Sequence, residues 1–106
     1  MAGRAAARVG AGLRSIAVSE IALPVYASAL TSNVVKPLAT SRDLDAPLSD
    51  WRLTAFLIGP GAGVGATRIR TLAMLATHRA TLIDADAITS FEVDSAALMR
   101  AVVGPY

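Results

Sequence analysis

Residues 53–87 have the sequence LTAFLIGPGAGVGATRIRTLAMLATHRATLIDADA. This pattern predicts a strand, a glycine-rich turn, a helix and a second strand, in that order. Residues 53–58 are almost wholly apolar, as is typical of a strand that is covered on both faces. Residues 59–65 then contain four glycines, which allow the backbone to turn tightly and to approach a ligand closely. The segment therefore predicts a strand–loop–helix–strand unit with a binding loop after its first strand.

Acidic residues follow the second predicted strand, residues 80–83. Asp84 and Asp86 come directly after it, and open α/β sheets bind their ligands at the carboxyl ends of their strands. The helix after the glycines offers free N–H groups and a positive dipole end to an anion. We therefore expect a phosphate-bearing ligand to lie beside this edge of the sheet.

The rest of the chain continues the alternation of helices and strands. This alternation favours a mostly parallel α/β sheet with right-handed crossovers. Only three or four strands are predicted, so we expect residues 1–106 to be a fragment of a single larger domain. The other predicted elements are helices at 1–9, 20–30, 67–77 and 94–103, strands at 13–18 and 34–35, and a surface loop with at most one helical turn at 37–50.

Composition excludes several classes of protein. The ten Lys and Arg residues against eight Asp and Glu give a net charge of only +2, and they are scattered, so we expect no nucleic-acid binding. No apolar stretch approaches the ~20 residues of a membrane span. The chain has no cysteine, which excludes disulfides and thiolate metal sites and fits a cytoplasmic location. The arginine-rich start resembles a transit peptide, but a helix packed on a sheet is the favoured interpretation.

The glycine loop also matches a dinucleotide-binding fingerprint. Residues 61–66, GAGVGA, satisfy G-x-G-x-x-G/A, and Asp84 lies 21 positions after Gly63, near the place of a ribose-binding acid. Against this, Gly59 and Pro60 separate the fingerprint from the strand end, where the tight turn is expected. A non-enzymatic dinucleotide-binding module therefore stays open as an alternative.

Single residues also have simpler structural explanations. The glycines could serve only as a tight connection between strand and helix, although four glycines in seven residues exceed what a turn requires. Asp86 could cap the following turn. His78 is expected to be a solvated residue at the end of a helix.

Two motifs together resemble a known family. GPGAG at 59–63 after one strand and IDADAI at 83–88 after the next resemble the ADP- or ATP-dependent NAD(P)H-hydrate dehydratases. AARVGAGLRSIAV at 6–18 and VYASALTSNVVKPLA at 25–39 agree with earlier parts of that family. The resemblance implies a partial ribokinase-like, three-layer α/β domain with a mostly parallel sheet.

The resemblance also implies an activity and its site. The family is a lyase family of metabolite repair: it phosphorylates the S-form of NAD(P)H hydrate with ADP or ATP and eliminates phosphate to restore NAD(P)H. Asp84 and Asp86 would either order a metal–phosphate group, with Mg²⁺ the expected ion, or hydrogen-bond a ribose. A homo-oligomer is expected for the full-length protein, and a kinase of a small vitamin precursor with the same fold is the alternative. The substrate-binding residues implied are Gly59, Gly61, Gly63, Asp84 and Asp86, with Gly63 as the direct contact.

The family's later motifs do not occur in residues 1–106. The family's Thr-Pro-His segment is missing, as is its Gly-Thr-Gly-Asp motif, whose aspartate resembles the general base of ribokinase-like enzymes. We therefore assign no catalytic residue within this chain.

We predict that the 106-residue polypeptide, incubated with NADH hydrate and either ADP or ATP, restores no NADH above the background rate. Loss of a positioned base alone typically costs about 10²- to 10⁴-fold in rate. The measurement is the reappearance of dihydronicotinamide absorbance, and clear restoration by the purified chain would contradict the prediction.

Overall fold

The computed structural model describes residues 2–10, 12, 15–18, 34–37 and 41–102. The chain forms two compact units, residues 1–43 and 44–106, which are described separately below. No helix in these described ranges is long and apolar enough to cross a membrane.

The first unit is a small parallel α/β arrangement. Helix α1 spans Ala2–Arg8, strand β1 spans Ser15–Val18 and strand β2 spans Val34–Pro37. The two strands pair in parallel along their whole length, which confirms the predicted helix and both predicted strands. The helix expected at 20–30 lies outside the described residues.

The second unit contains the sequence from which the fold was predicted. Strands β3 (Ala55–Ile58) and β4 (Ala80–Ile83) pair in parallel, with Ala55 opposite Ala80 and Ile58 opposite Ile83. The Asp84 N–H donates to the Ile58 carbonyl at 3.1 Å, which extends the ladder beyond β4. The elements after the 3-10 helix Ser41–Leu44 are α2 (Asp45–Ser49), β3 (Ala55–Ile58), α3 (Ala66–Leu75), β4 (Ala80–Ile83), α4 (Asp86–Thr89) and α5 (Ser95–Val102).

Helix α3 is the centre of this unit, since it contacts β3, β4, α4 and α5. Its buried face consists of Thr67, Thr71 and Leu75, at the spacing of four residues that places side chains on one side of a helix. Ile58 of β3 and Phe91 are also buried. Two of the three buried residues on this face of α3 are therefore polar, and their hydroxyls need hydrogen-bond partners.

The β3–β4 sheet is covered less than its sequence suggested. The apolar run at 53–58 led us to expect cover on both faces, but Leu57 and its neighbour Leu82 are 47% and 61% exposed. Phe56 and Ile58, which alternate with Leu57, are more buried. The expectation of two covered faces is wrong for this structure, because side chains alternate between faces and only one face is buried.

Helix α5 is fixed to α3 by its first turn. The Asp94 carboxylate accepts from the Ala97 N–H at 3.3 Å, which caps α5. The same carboxylate pairs with Arg68 of α3 at 2.9 Å. The Arg68 guanidinium also lies over the Phe91 ring, 5.7 Å from its centroid. The predicted helix at 94–103 is confirmed, with Asp94 as its cap.

Other boundaries differ from those predicted. Residues 37–50 hold a 3-10 helix and α2 rather than one helical turn; Pro47 is tolerated because it lies in the first turn of α2. The short helix α4 was not predicted. Helix α3 ends two residues earlier than expected, and His78 follows with a positive φ of 59°. Histidine is among the residues enriched in this conformation, and the exposed side chain agrees with the expected helix-end position.

The backbones of the two strand ends meet at Gly59, which is buried and has a φ of 144°. A Cβ atom built on Gly59 would lie 2.5 Å from the carbonyl carbon of Asp84 and would collide with its oxygen. Any side chain here would separate the ends of β3 and β4.

We predict that Gly59→Ala destabilises the unit at 44–106 by about 3 kcal/mol or more, because backbone strain and a steric collision add. Gly61→Ala is the matched control: Gly61 also has a positive φ, of 72°, but open space around it. Its expected cost is only about 1–2 kcal/mol.

The measurement is urea denaturation followed by the amide signals of α3 in NMR spectra. Equal losses in the two variants would show that the close approach at Gly59 does not matter for stability.

Candidate functional site

The glycine loop between β3 and α3 begins with a type II turn. The Ala62 N–H donates to the Gly59 carbonyl at 2.9 Å. Pro60 takes the second position of this turn, and Gly61, with its φ of 72°, the third. Gly59 and Pro60 thus form the tight turn at the strand end that the dinucleotide-binding fingerprint expects at its first glycine. The fingerprint match at 61–66 therefore begins two residues after the start of the tight turn, and not at the strand end where a dinucleotide-binding loop has its first glycine.

A buried hydroxyl holds the next part of the loop. Thr67, in the first turn of α3, is fully buried. Its Oγ1 lies within hydrogen-bond distance of the Ala62 carbonyl, at 3.0 Å, and of the Gly63 carbonyl. Thr71, also fully buried, donates from its hydroxyl to the Thr67 carbonyl at 2.8 Å. The loop is thus attached to the polar face of α3.

The loop is also attached to the segment after β4. The Asp86 carboxylate accepts from the Gly63 N–H at 2.8 Å. Four residues later, the Ser90 hydroxyl donates to the Asp86 carbonyl at 2.7 Å and accepts from the Gly65 N–H at 3.4 Å. The structure thereby brings the GPGAG and DADA motifs into direct contact.

An unusual turn leads into α4. The Ala87 N–H donates to the Asp84 carbonyl at 3.0 Å, and Ala85 has a φ of 44° and a ψ of −120°. These angles are near those of the second position of a type II′ turn, which glycine normally occupies. An L-residue in such a region costs about 1–3 kcal/mol. The strain lies between the two aspartates of the site.

The five residues assigned from the sequence have different structural roles. Gly59 is buried against the Asp84 backbone and does not line the surface. Gly61 and Gly63 are exposed, and Asp86 binds Gly63. Asp84 is exposed at the end of β4, where its backbone is fixed by the ladder and the turn.

The sequence predicted that the loop amides would bind the phosphate of a ligand, but the structure places a protein carboxylate at one of them. The loop amide of Gly63 already binds an anion, but that anion is the Asp86 carboxylate of the protein itself. Asp86 is also not the cap that the alternative suggested, because no side chain caps α4. A phosphate at this amide would have to replace Asp86. The other donors of the loop and of the α3 N-terminus, or a cation, would have to hold phosphate oxygens.

The described acidic residues do not form a metal site by themselves. Within the described ranges, no group of three or more His, Cys, Asp or Glu residues is placed to hold a metal ion. Mg²⁺ is usually bound through one or two carboxylates together with substrate phosphates and water. Asp84 and Asp86 fit this mode only as partial ligands, with phosphate oxygens completing the coordination.

Sequence reasoning missed Thr67, Ser90 and Ala85. The hydroxyls of Thr67 and Ser90 both donate to the carbonyl four residues earlier, as Ser and Thr often do in and beside helices. The sequence signal that could have identified Thr67 is a hydroxyl residue in the first turn of the helix that follows a glycine-rich loop. No local signal marks Ala85, since alanine at a glycine-type turn position is unexpected.

The second unit is thus a parallel β–α–β unit with a glycine-rich loop and two carboxylates at one sheet edge. The family model of the NAD(P)H-hydrate dehydratases matches residues 1–104 of the chain. The chain belongs to this family. No curated protein and no solved structure matches it significantly. The fold is accordingly part of a ribokinase-like α/β domain with parallel strand pairing, as expected from the sequence.

We predict that Ala85→Gly stabilises the unit at 44–106 by about 1 kcal/mol, because relief of the strain at Ala85 exceeds the added entropy of the unfolded chain. Ala73→Gly, in the last turn of α3, is the control and should destabilise by up to about 1 kcal/mol. The midpoint of urea denaturation measures both changes. A loss of stability in Ala85→Gly would mean that the turn is unstrained.

Proposed function

We propose that this chain carries the substrate-binding loop of an ADP- or ATP-dependent NAD(P)H-hydrate dehydratase. The reaction is the dehydration of the S-form of NAD(P)H hydrate back to NAD(P)H. The observation that carries the proposal is the 2.8 Å hydrogen bond between Gly63 and Asp86, since it joins the two family motifs into one site. The family match over residues 1–104 supports the same conclusion.

The chemistry of the loop favours the hydroxyl-bearing part of the substrate. Carboxylates accept hydrogen bonds and repel bare phosphate groups. Asp84 is exposed, and its side-chain carboxylate makes no hydrogen bond or ion pair with other described residues, so the two carboxylate oxygens remain available as acceptors. We infer that Asp84 accepts from a hydroxyl of the substrate, on its ribose or its hydrated ring. Asp86 would act indirectly, by holding Gly63.

The adenine nucleotide supplies the phosphoryl group in the proposed reaction. The hydroxyl oxygen of the hydrated ring takes the terminal phosphoryl group and loses its proton, and the nucleotide leaves as AMP from ADP or as ADP from ATP. The carbon–oxygen bond of the ring then breaks to release phosphate. A proton leaves the neighbouring carbon, and the ring double bond is restored. Mg²⁺ would neutralise phosphate charge and let a phosphate group approach the Asp84 carboxylate.

A kinase of a small vitamin precursor would use the same fold but would stop after phosphoryl transfer. The two functions differ in their products, because only the dehydratase releases phosphate and dihydronicotinamide together. The family match favours the dehydratase.

We predict that S-form NADPH hydrate, titrated into the chain, shifts the amide signals of Gly61 and Gly63 in NMR spectra. Asp84→Asn should weaken this binding about tenfold, since a hydrogen bond to a charged group contributes about 1.5–3 kcal/mol. Asp45→Asn, which removes an exposed carboxylate from α2, is the matched control and should bind like the unchanged chain.

Two results would contradict this proposal. One is an absence of shifts at Gly61 and Gly63 at saturating hydrate. The other is equal binding by the Asp84 and Asp45 variants, which would remove Asp84 from the site.

A further inference from the structure

Two consecutive carbonyl groups of the loop point to the same buried hydroxyl. The carbonyls of Ala62 and Gly63 both lie within hydrogen-bond distance of Thr67 Oγ1. Thr67 has no exposed surface, so water cannot take over this role. The orientation of two peptide groups therefore depends on one side chain.

Because peptide groups are planar, the contact of these carbonyls with Thr67 also fixes the direction of the N–H groups that follow them. The described chain has no cis peptide bond, and in a planar trans peptide the C=O of one residue points opposite to the N–H of the next. With the Ala62 and Gly63 carbonyls directed at Thr67, the N–H groups of Gly63 and Val64 must point away from it. Gly63 agrees, because its N–H meets Asp86 at 2.8 Å.

Val64 completes the pattern. Its side chain is exposed, and its N–H meets no acceptor among the described residues. Two successive outward amides form a concave donor surface of the kind that holds anionic or carbonyl oxygens. Asp86 occupies the first donor, and the second remains available to a ligand.

We propose that Thr67 is a positioning residue, whose buried hydroxyl directs the Gly63 and Val64 amides outward and thereby determines the affinity of the loop for its substrate. This inference rests on the proposed function for the identity of the substrate. The direction of the amides does not depend on it. The oxygen that meets the Val64 amide would be a carboxamide or phosphate oxygen of the NAD(P)H hydrate.

The chain offers a closely matched control on the same helix. Thr71 is one turn further along α3, is equally buried, and also donates its hydroxyl to a carbonyl oxygen. Its acceptor is the helix backbone at Thr67 and not the loop. Thr67→Val and Thr71→Val therefore each remove one threonine hydroxyl from an equally buried position. Only Thr67→Val also removes a contact to the loop.

The first measurement is amide hydrogen exchange of Gly63 in the unliganded chain, relative to the Asp84 amide in the strand ladder as an internal reference. Thr67→Val should lower the relative protection of Gly63 about tenfold, as expected for the loss of one hydrogen bond. Thr67→Ser, which keeps a hydroxyl, should retain the Gly63 protection of the unchanged chain, and so should Thr71→Val. If Thr67→Val does not fold, Thr67→Ala provides the same comparison with a smaller side chain.

The second measurement is the affinity for S-form NADPH hydrate, followed at the Val64 amide. We expect about tenfold weaker binding in Thr67→Val, with Thr67→Ser and Thr71→Val close to the unchanged chain. Unchanged Gly63 protection in Thr67→Val, or an equal loss in Thr71→Val, would overturn the proposal. Lost protection with unchanged hydrate affinity would also overturn it.

The two proposals fail separately. If the unchanged chain binds no hydrate but Thr67→Val lowers Gly63 protection as expected, the proposed function fails and the direction of the amides by Thr67 stands. If hydrate binds and Gly63 protection does not depend on Thr67, the proposed function stands and the positioning role fails.

Discussion

The close approach of Gly59 to the carbonyl group of Asp84 is the constraint on which the site depends. It lets the ends of β3 and β4 meet without a side chain between them, just where the ladder continues through the Asp84 N–H. The glycine loop and the acidic segment leave the sheet from this point. Their contact is possible only because both begin at the same closely packed edge, as parallel strands require.

The loop is held mainly by polar groups. Threonine hydroxyls on α3 bind loop and helix carbonyls, and the Asp86 carboxylate and the Ser90 hydroxyl bind loop amides. The contacts of the two buried threonines define one conformation, since an unmade hydrogen bond in a buried site costs more than a made one contributes. The arrangement fixes the direction of the remaining donors before a ligand arrives, which is how binding sites limit the entropy cost of association.

The strained backbone at Ala85 is part of the same arrangement. The turn reverses the chain after β4 and begins the helix that carries Asp86. Backbone strain of this kind persists where the surrounding structure enforces it, and it concentrates at functional sites. Here the enforcing contacts are the ladder at Asp84 and the bond from Asp86 to Gly63. The site thus contains one strained residue, Ala85, which is held in place by hydrogen bonds that connect the glycine loop with the acidic segment.

The sequence by itself determined the β3–α3–β4 order, the parallel α/β class and the motif pair that defines the family, because periodicity, glycine content and motif spacing are local properties of a chain. Only the tertiary structure decided that Gly59 is a packing residue, that Thr67 binds the loop, and that Asp86 occupies the Gly63 amide. Gly63 and Asp86 are 23 positions apart. No local pattern specifies which amide such a distant carboxylate will meet, since that choice depends on how the two strand ends pack.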